Sequence, residues 1–109
     1  MSTFIANTEA QSAYNTSKAA VAMMTKTMTS EWIGDNIRVN AIAPGYMKTE
    51  MTKLIFELGG ELAHVLDMFP MKCLGEPHEL GGLAIYLASE ASSFVTGSSF
   101  IVDGGYTIW

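Results

Sequence analysis

Charge is what this chain has least of. Asp, Glu, Lys and Arg make up 16% of its 109 residues, against 49% hydrophobic, where ordinary soluble domains carry about 25% charged residues. That balance excludes intrinsic disorder, which needs low hydrophobicity and high charge. It also suggests more surface to bury than a chain of this length readily covers. The six basic residues are scattered and outnumbered by eleven acidic ones, which argues against a nucleic-acid partner, since phosphate recognition needs a basic stripe. No apolar run reaches the roughly 18 residues of a membrane helix. The opening MSTFIANTEAQ lacks the basic and apolar regions of a signal peptide. A lone cysteine, Cys73, cannot close an intrachain disulfide, so a reducing, cytoplasmic setting is expected, with Cys73 as a small, partly buried thiol. His64 and His78 lie far apart without clustered donors; both read as structural, and no metal site is expected. There is no repeat and no Pro-, Gly- or Ser-rich linker, hence no boundary inside residues 1–109.

What is present reads as helix, strand, helices, strand. Residues 10–33 hold good helix formers with no Gly or Pro among them, and Gly34 follows where a C-terminal stop is expected. Tyr14, Val21, Met24, Met28 and Trp32 recur at helical intervals and give a packing face. Residues 37–42 form a β-rich run that Pro44 and Gly45 break. Residues 50–69 carry a helical pattern interrupted at Gly59-Gly60 and ended by Pro70. Pro77 fits the first turn of a helix running to about Ser89. Thr96-Gly97 is a turn, and residues 99–102 form a second strand, closed by Asp103-Gly104-Gly105, where Asp103 serves the turn. Strand, crossover helices and parallel strand make a βαβ unit. Two short strands make a poor sheet by themselves, so the pattern predicts part of a larger α/β sheet.

Tyr14 and Lys18 stand four apart and share one helix face. A phenol is a poor acid/base at neutral pH, but an adjacent ammonium favours its ionised form and moves it toward useful proton-transfer range. By itself the spacing is more commonly a partly buried tyrosine beside a solvated lysine.

The surrounding residues narrow the reading. Tyr14-Asn15-Thr16-Ser17-Lys18-Ala19-Ala20 is followed by Ile37-Arg38-Val39-Asn40-Ala41-Ile42-Ala43-Pro44-Gly45, then Thr49, Gly75-Glu76-Pro77-His78-Glu79, Thr96-Gly97 and Val102-Asp103-Gly104-Gly105-Tyr106. In order and spacing these closely resemble the C-terminal part of the classical short-chain dehydrogenases/reductases, over essentially the whole chain. Ile5-Ala6-Asn7 before Gln11-Ser12-Ala13-Tyr14, the His78-Glu79-Leu80 segment and the ending Gly104-Gly105-Tyr106-Thr107-Ile108-Trp109 look most like fungal-type NADP-dependent sorbose reductases, mannitol 2-dehydrogenases and xylulose reductases.

The resemblance implies an α/β fold: the C-terminal portion of a Rossmann-like doubly wound parallel sheet, with residues 1–109 a single partial domain and the N-terminal half missing. It implies reversible NADP(H)-dependent reduction of a ketone or ketose to an alcohol or polyol, with NAD(H) left open. Tyr14 matches the tyrosine that protonates the carbonyl oxygen. Lys18 matches the lysine that lowers the tyrosine pKa and holds the nicotinamide ribose. Ser2, twelve residues before Tyr14, is a candidate for the family's serine; the other lies just before the Met1 position. Pro44, Gly45, Met47 and Thr49 fall on cofactor-contacting positions, with Thr49 meeting the carboxamide or the phosphates. Residues 46–70 correspond to the variable substrate loop, and the helix at 10–33 to one that pairs subunits into homodimers or homotetramers.

Two departures stand out. The family's glycine-rich phosphate turn does not occur in these 109 residues, so the chain alone is expected to be inactive. Cys73 stands where an arginine is usual and Lys72 where a small residue is common, which would loosen that loop. A 3-oxoacyl or steroid substrate, or a non-catalytic interaction module, are the alternative readings.

Overall fold

Alternating residues of a strand send their amides to opposite edges, and this lets a proline close the first strand. The computed structural model describes residues 11–57 and 66–109. Its elements run α1 (Ser12–Trp32), β1 (Ala41–Pro44), α2 (Glu50–Glu57), α3 (Leu80–Ala88) and β2 (Ser99–Val102). The strands pair in parallel, from Ala41 opposite Ser99 to Pro44 opposite Val102. Ala41 donates to Ser98 O and Gly45 to Val102 O, so the alternation turns the Pro44 nitrogen to the other edge, where the β2 ladder needs no donor. The βαβ order predicted from the sequence is therefore present.

The strand expected at 37–42 is shifted: it starts at Ala41 and runs through Pro44, which was expected to break it. Side chains have taken over the backbone before it. Val39 N donates to Thr96 Oγ1, and Val39 O accepts from Thr29 Oγ1 and from Gly97 N. Arg38 reaches Val95 O, Leu87 O and Ser89 O, while Asn40 bonds Val95 O and Ser98 N. These bonds tie the segment to the 95–98 turn before a ladder forms.

The end of α1 also differs from expectation. Gly34 lies inside a 3₁₀ turn, Ile33–Asp35, and Asn36 takes the left-handed conformation at φ 61°. Asn36 N donates to Ile33 O and Ile37 N to Trp32 O, the paired bonds of a Schellman stop with asparagine in the usual glycine place. The predicted packing face of α1 is not buried: Tyr14, Val21, Met24 and Trp32 are exposed, and Thr25, 4% exposed, is the buried residue. Thr29 ties this side of the helix to Val39, just before β1, and to Thr96.

Pro77–Glu79 forms a 3₁₀ turn into α3, closed by a capping box between Glu76 and Glu79. Phe69 and Tyr106 are the buried hydrophobic residues among those described. They meet Tyr46 in a cluster with centroid separations of 5.8 Å, 5.7 Å and 4.8 Å. This cluster sits under the turn after β1 and joins it to the loop before Pro70 and to the C-terminal turn. Met71 N also reaches Gly104 O. Cys73, expected to be partly buried, is exposed, because the 70–74 loop turns outward through Lys72 at φ 54°. Ser2, His64, Gly59 and Gly60 lie outside the described residues.

Candidate functional site

The first turn of α1 carries Tyr14, and the next turn carries Lys18. Gln11 precedes the helix without a side-chain cap. Tyr14 is half-exposed at 53%, and the Lys18 ammonium lies over its ring, 5.4 Å from the centroid, a cation–π arrangement. Ser17 Oγ donates to Tyr14 O, which holds the turn between them.

Across from this helix face runs the turn after β1. Gly45 is required there by close approach: a Cβ would lie 2.6 Å from Asp103 Cα. The Asp103 carboxylate accepts from Gly105 N, Thr107 N and Thr107 Oγ1, which fixes the turn after β2 as the sequence predicts. On the far side, Gly75 N donates to Tyr46 O and Lys48 N to Gly75 O, forming an isolated parallel bridge between Met47 and Gly75. A Cβ at Gly75 would meet Met47 Sδ at 2.6 Å. The segment from Pro44 to Thr49 is thus held on both sides and from beneath.

Between the two walls lies a cleft of about 350 Å³, lined by Tyr14, Lys18, Pro44, Gly45, Met47 and Thr49 among others. Six of the seven residues singled out in the sequence are therefore gathered in one place, and Ser2 falls outside the described residues. Sequence reading missed Tyr46 and Thr52, which also line the cleft. The threonine pair three apart, just before a helical pattern, was the available signal for Thr52, since that spacing marks a helix start. The volume is at the small end of small-molecule sites, about 300–1,000 Å³. It suits the reactive end of a dinucleotide, where a phenol, an ammonium and a hydroxyl face apolar walls. No glycine-rich turn in this chain provides for the pyrophosphate. Among the described residues no three His, Cys, Asp or Glu side chains are grouped to hold a metal ion. No helix among them is long and apolar enough to cross a membrane.

Residues 1–107 match a family model described as enoyl-(acyl carrier protein) reductase. The chain is 49% identical over 98 residues to galactitol 2-dehydrogenase (L-tagatose-forming) of Cereibacter sphaeroides, covering 90% of this chain and 39% of that protein. It is 40% identical over 109 residues to D-arabinitol 2-dehydrogenase (ribulose-forming) of Scheffersomyces stipitis, covering 98% and 39%. Among solved structures, a gluconate 5-dehydrogenase from Burkholderia cenocepacia in complex with NADP and tartrate superposes with a TM-score of 0.90 at 36% identity, over 99% of this chain and 42% of that one. The chain thus spans about two-fifths of the length of the relatives it matches.

Proposed function

We propose that this chain, which belongs to the short-chain dehydrogenase/reductase family, supplies the proton-transfer side of an oxidoreductase that interconverts a polyol and its ketose, or a sugar acid and its keto form. The observation that carries the reading is the cleft in which Tyr14 and Lys18 face the Pro44–Thr49 turn. When bound, a nicotinamide cofactor, NADP(H) or NAD(H), supplies or accepts the hydride; neighbours of equal likeness hold NADP and NADH, so the reading covers both. In reduction Tyr14 Oη donates its proton to the carbonyl oxygen, and in oxidation it takes the proton back. Lys18 holds positive charge over the ring and opposes the negative charge left on Oη. It also has N–H groups to donate to a ribose hydroxyl. Pro44 and Gly45 would border the cofactor's nicotinamide end, and Thr49 would offer its hydroxyl there. Ser2 is this chain's candidate for the serine that hydrogen-bonds the carbonyl oxygen. By the family resemblance the enzyme works in the cytoplasm as a homodimer or homotetramer.

The test is a graft. Residues 1–109 replace the matching two-fifths of the Cereibacter galactitol 2-dehydrogenase, and folding is checked by circular dichroism. The graft should oxidise polyols with NADP⁺ or NAD⁺, and Tyr14→Phe should lower kcat by about 10²–10⁴. The 109-residue chain alone should show no turnover. A folded graft whose Tyr14→Phe variant keeps full activity would remove Tyr14 from the chemistry. A relative from Thermotoga maritima, a 3-oxoacyl-[acyl-carrier-protein] reductase 45% identical over 98 residues, favours one second reading, a 3-oxoacyl thioester substrate. A graft that reduces 3-oxoacyl thioesters and ignores polyols would select it.

A further inference from the structure

Two threonines at the start of α2 close a ring of hydrogen bonds at the cleft. Thr52 Oγ1 lies 2.6 Å from Met47 O, 3.0 Å from Thr49 O, 2.7 Å from Thr49 N and 3.1 Å from Thr49 Oγ1. Thr49 Oγ1 accepts from Thr52 N at 3.3 Å. A threonine hydroxyl has one proton and two lone pairs, so the donors can be assigned by counting. The Thr52 proton goes to Met47 O, the shorter of its two carbonyl contacts. Its lone pairs then accept the Thr49 amide and the Thr49 hydroxyl, because Thr52 has no second proton to return. The Thr49 hydroxyl has now donated its proton and accepted one N–H. One lone pair remains on a side chain that lines the cleft.

We propose that Thr52 is a positioning residue that fixes the Thr49 hydroxyl as a hydrogen-bond acceptor, so that the cleft selects a ligand group bearing N–H over one bearing only oxygen. The inference rests on the function proposed above, with the carboxamide of the nicotinamide as the N–H bearer. The same ring of bonds pins the backbone from Met47 to Thr49, the part of the turn that lies nearest α2.

The experiment compares binding of NADPH with that of its reduced 3-acetylpyridine analogue, in which a methyl ketone replaces the carboxamide. The grafted enzyme is used unsubstituted and as Thr52→Val, Thr52→Ser and Thr49→Val. The unsubstituted graft should prefer NADPH by roughly three- to tenfold, the worth of one hydrogen bond. Thr52→Val should erase most of that preference by weakening binding of NADPH and leaving the analogue nearly untouched. Thr52→Ser should restore it, and Thr49→Val should erase it by removing the acceptor itself. A purely structural role for Thr52 would weaken both ligands equally. Wild-type preference in Thr52→Val overturns the proposal, and if that variant fails to fold, wild-type preference in Thr49→Val does so instead. An unsubstituted graft that binds both ligands equally defeats this inference alone. One that binds neither defeats the proposed function as well.

Discussion

At Gly45 a single added atom, and at Lys72 a single backbone angle, bears on stability. At Gly45 the obstacle is backbone, since Asp103 Cα and Cβ would lie 2.6 Å and 2.7 Å from an added Cβ, and neither can swing away. Gly45→Ala should therefore cost the grafted enzyme about 1–3 kcal/mol, the usual price of overpacking, read as a lower urea midpoint. An unchanged midpoint would mean that the ends of β1 and β2 separate freely. Lys72 shows the reverse case. It holds φ 54°, a conformation that costs an L-residue about 1–2 kcal/mol. Its ion pair with Asp67, at 3.7 Å and largely exposed, offsets little of that. Lys72→Gly should stabilise by about 0.5–1 kcal/mol, read as a higher midpoint, and a lower midpoint would show that the Lys72–Asp67 contacts outweigh the strain. Some of this was legible beforehand. Asp103 before two glycines announces its turn, and Lys72 was visible as a residue where a small one is common. The exposure of Cys73 was not legible, because it follows from the left-handed turn at its neighbour.

At the scale of elements, sequence patterning located α1, β1, α2, α3 and β2 but put the start of β1 too early. Periodicity reports which side chains could pack, and it is silent where a side chain replaces a backbone partner. β2, from Ser99 to Val102, starts and stops where the β-rich run does. β1 starts late because Arg38, Asn40 and the Thr29–Thr96 pair occupy the preceding backbone. The Tyr14–Lys18 side of the cleft could be read from a four-residue spacing, whereas Thr52 enters through bonds to its own helix start. Arg38 gives the element-scale prediction. Its guanidinium joins the end of α3, at Leu87 O and Ser89 O, to Val95 O before β2. Arg38→Met keeps the apolar stem and removes the donors. It should cost about 1.5–3 kcal/mol, the range for hydrogen bonds from a charged group. Amide exchange should quicken along α3 and β2 and stay unchanged in the first turns of α1. Uniform acceleration everywhere would mean that Arg38 supports the whole fold rather than the α3–β2 joint.

For the molecule as a whole, the low charge content noted at the outset becomes a surface. The chain exposes 7475 Å², against roughly 5,900 Å² for a compact monomer of its 11.8 kDa mass. Only two hydrophobic residues among those described are buried, while Phe94, Ile85 and Trp109 stand largely or fully in solvent. α3 adds to this with an almost wholly apolar composition, LGGLAIYLA, and among the described residues β1 has a partner on one edge only. Apolar surface of this extent is favourable to cover, at about 25 cal/mol per Å², and an open parallel edge offers unpaired backbone to any neighbouring chain. As a 109-residue chain the protein should therefore associate with itself. Its apparent mass by light scattering should rise with concentration, and it should bind an apolar dye. The same residues grafted among the remaining three-fifths of a relative should do neither, because that host would cover the same faces. A monodisperse 109-residue chain that unfolds in one sharp transition would instead show that β1, β2 and the Tyr46–Phe69–Tyr106 cluster suffice for a fold. The cleft at Tyr14 could then be studied without a host.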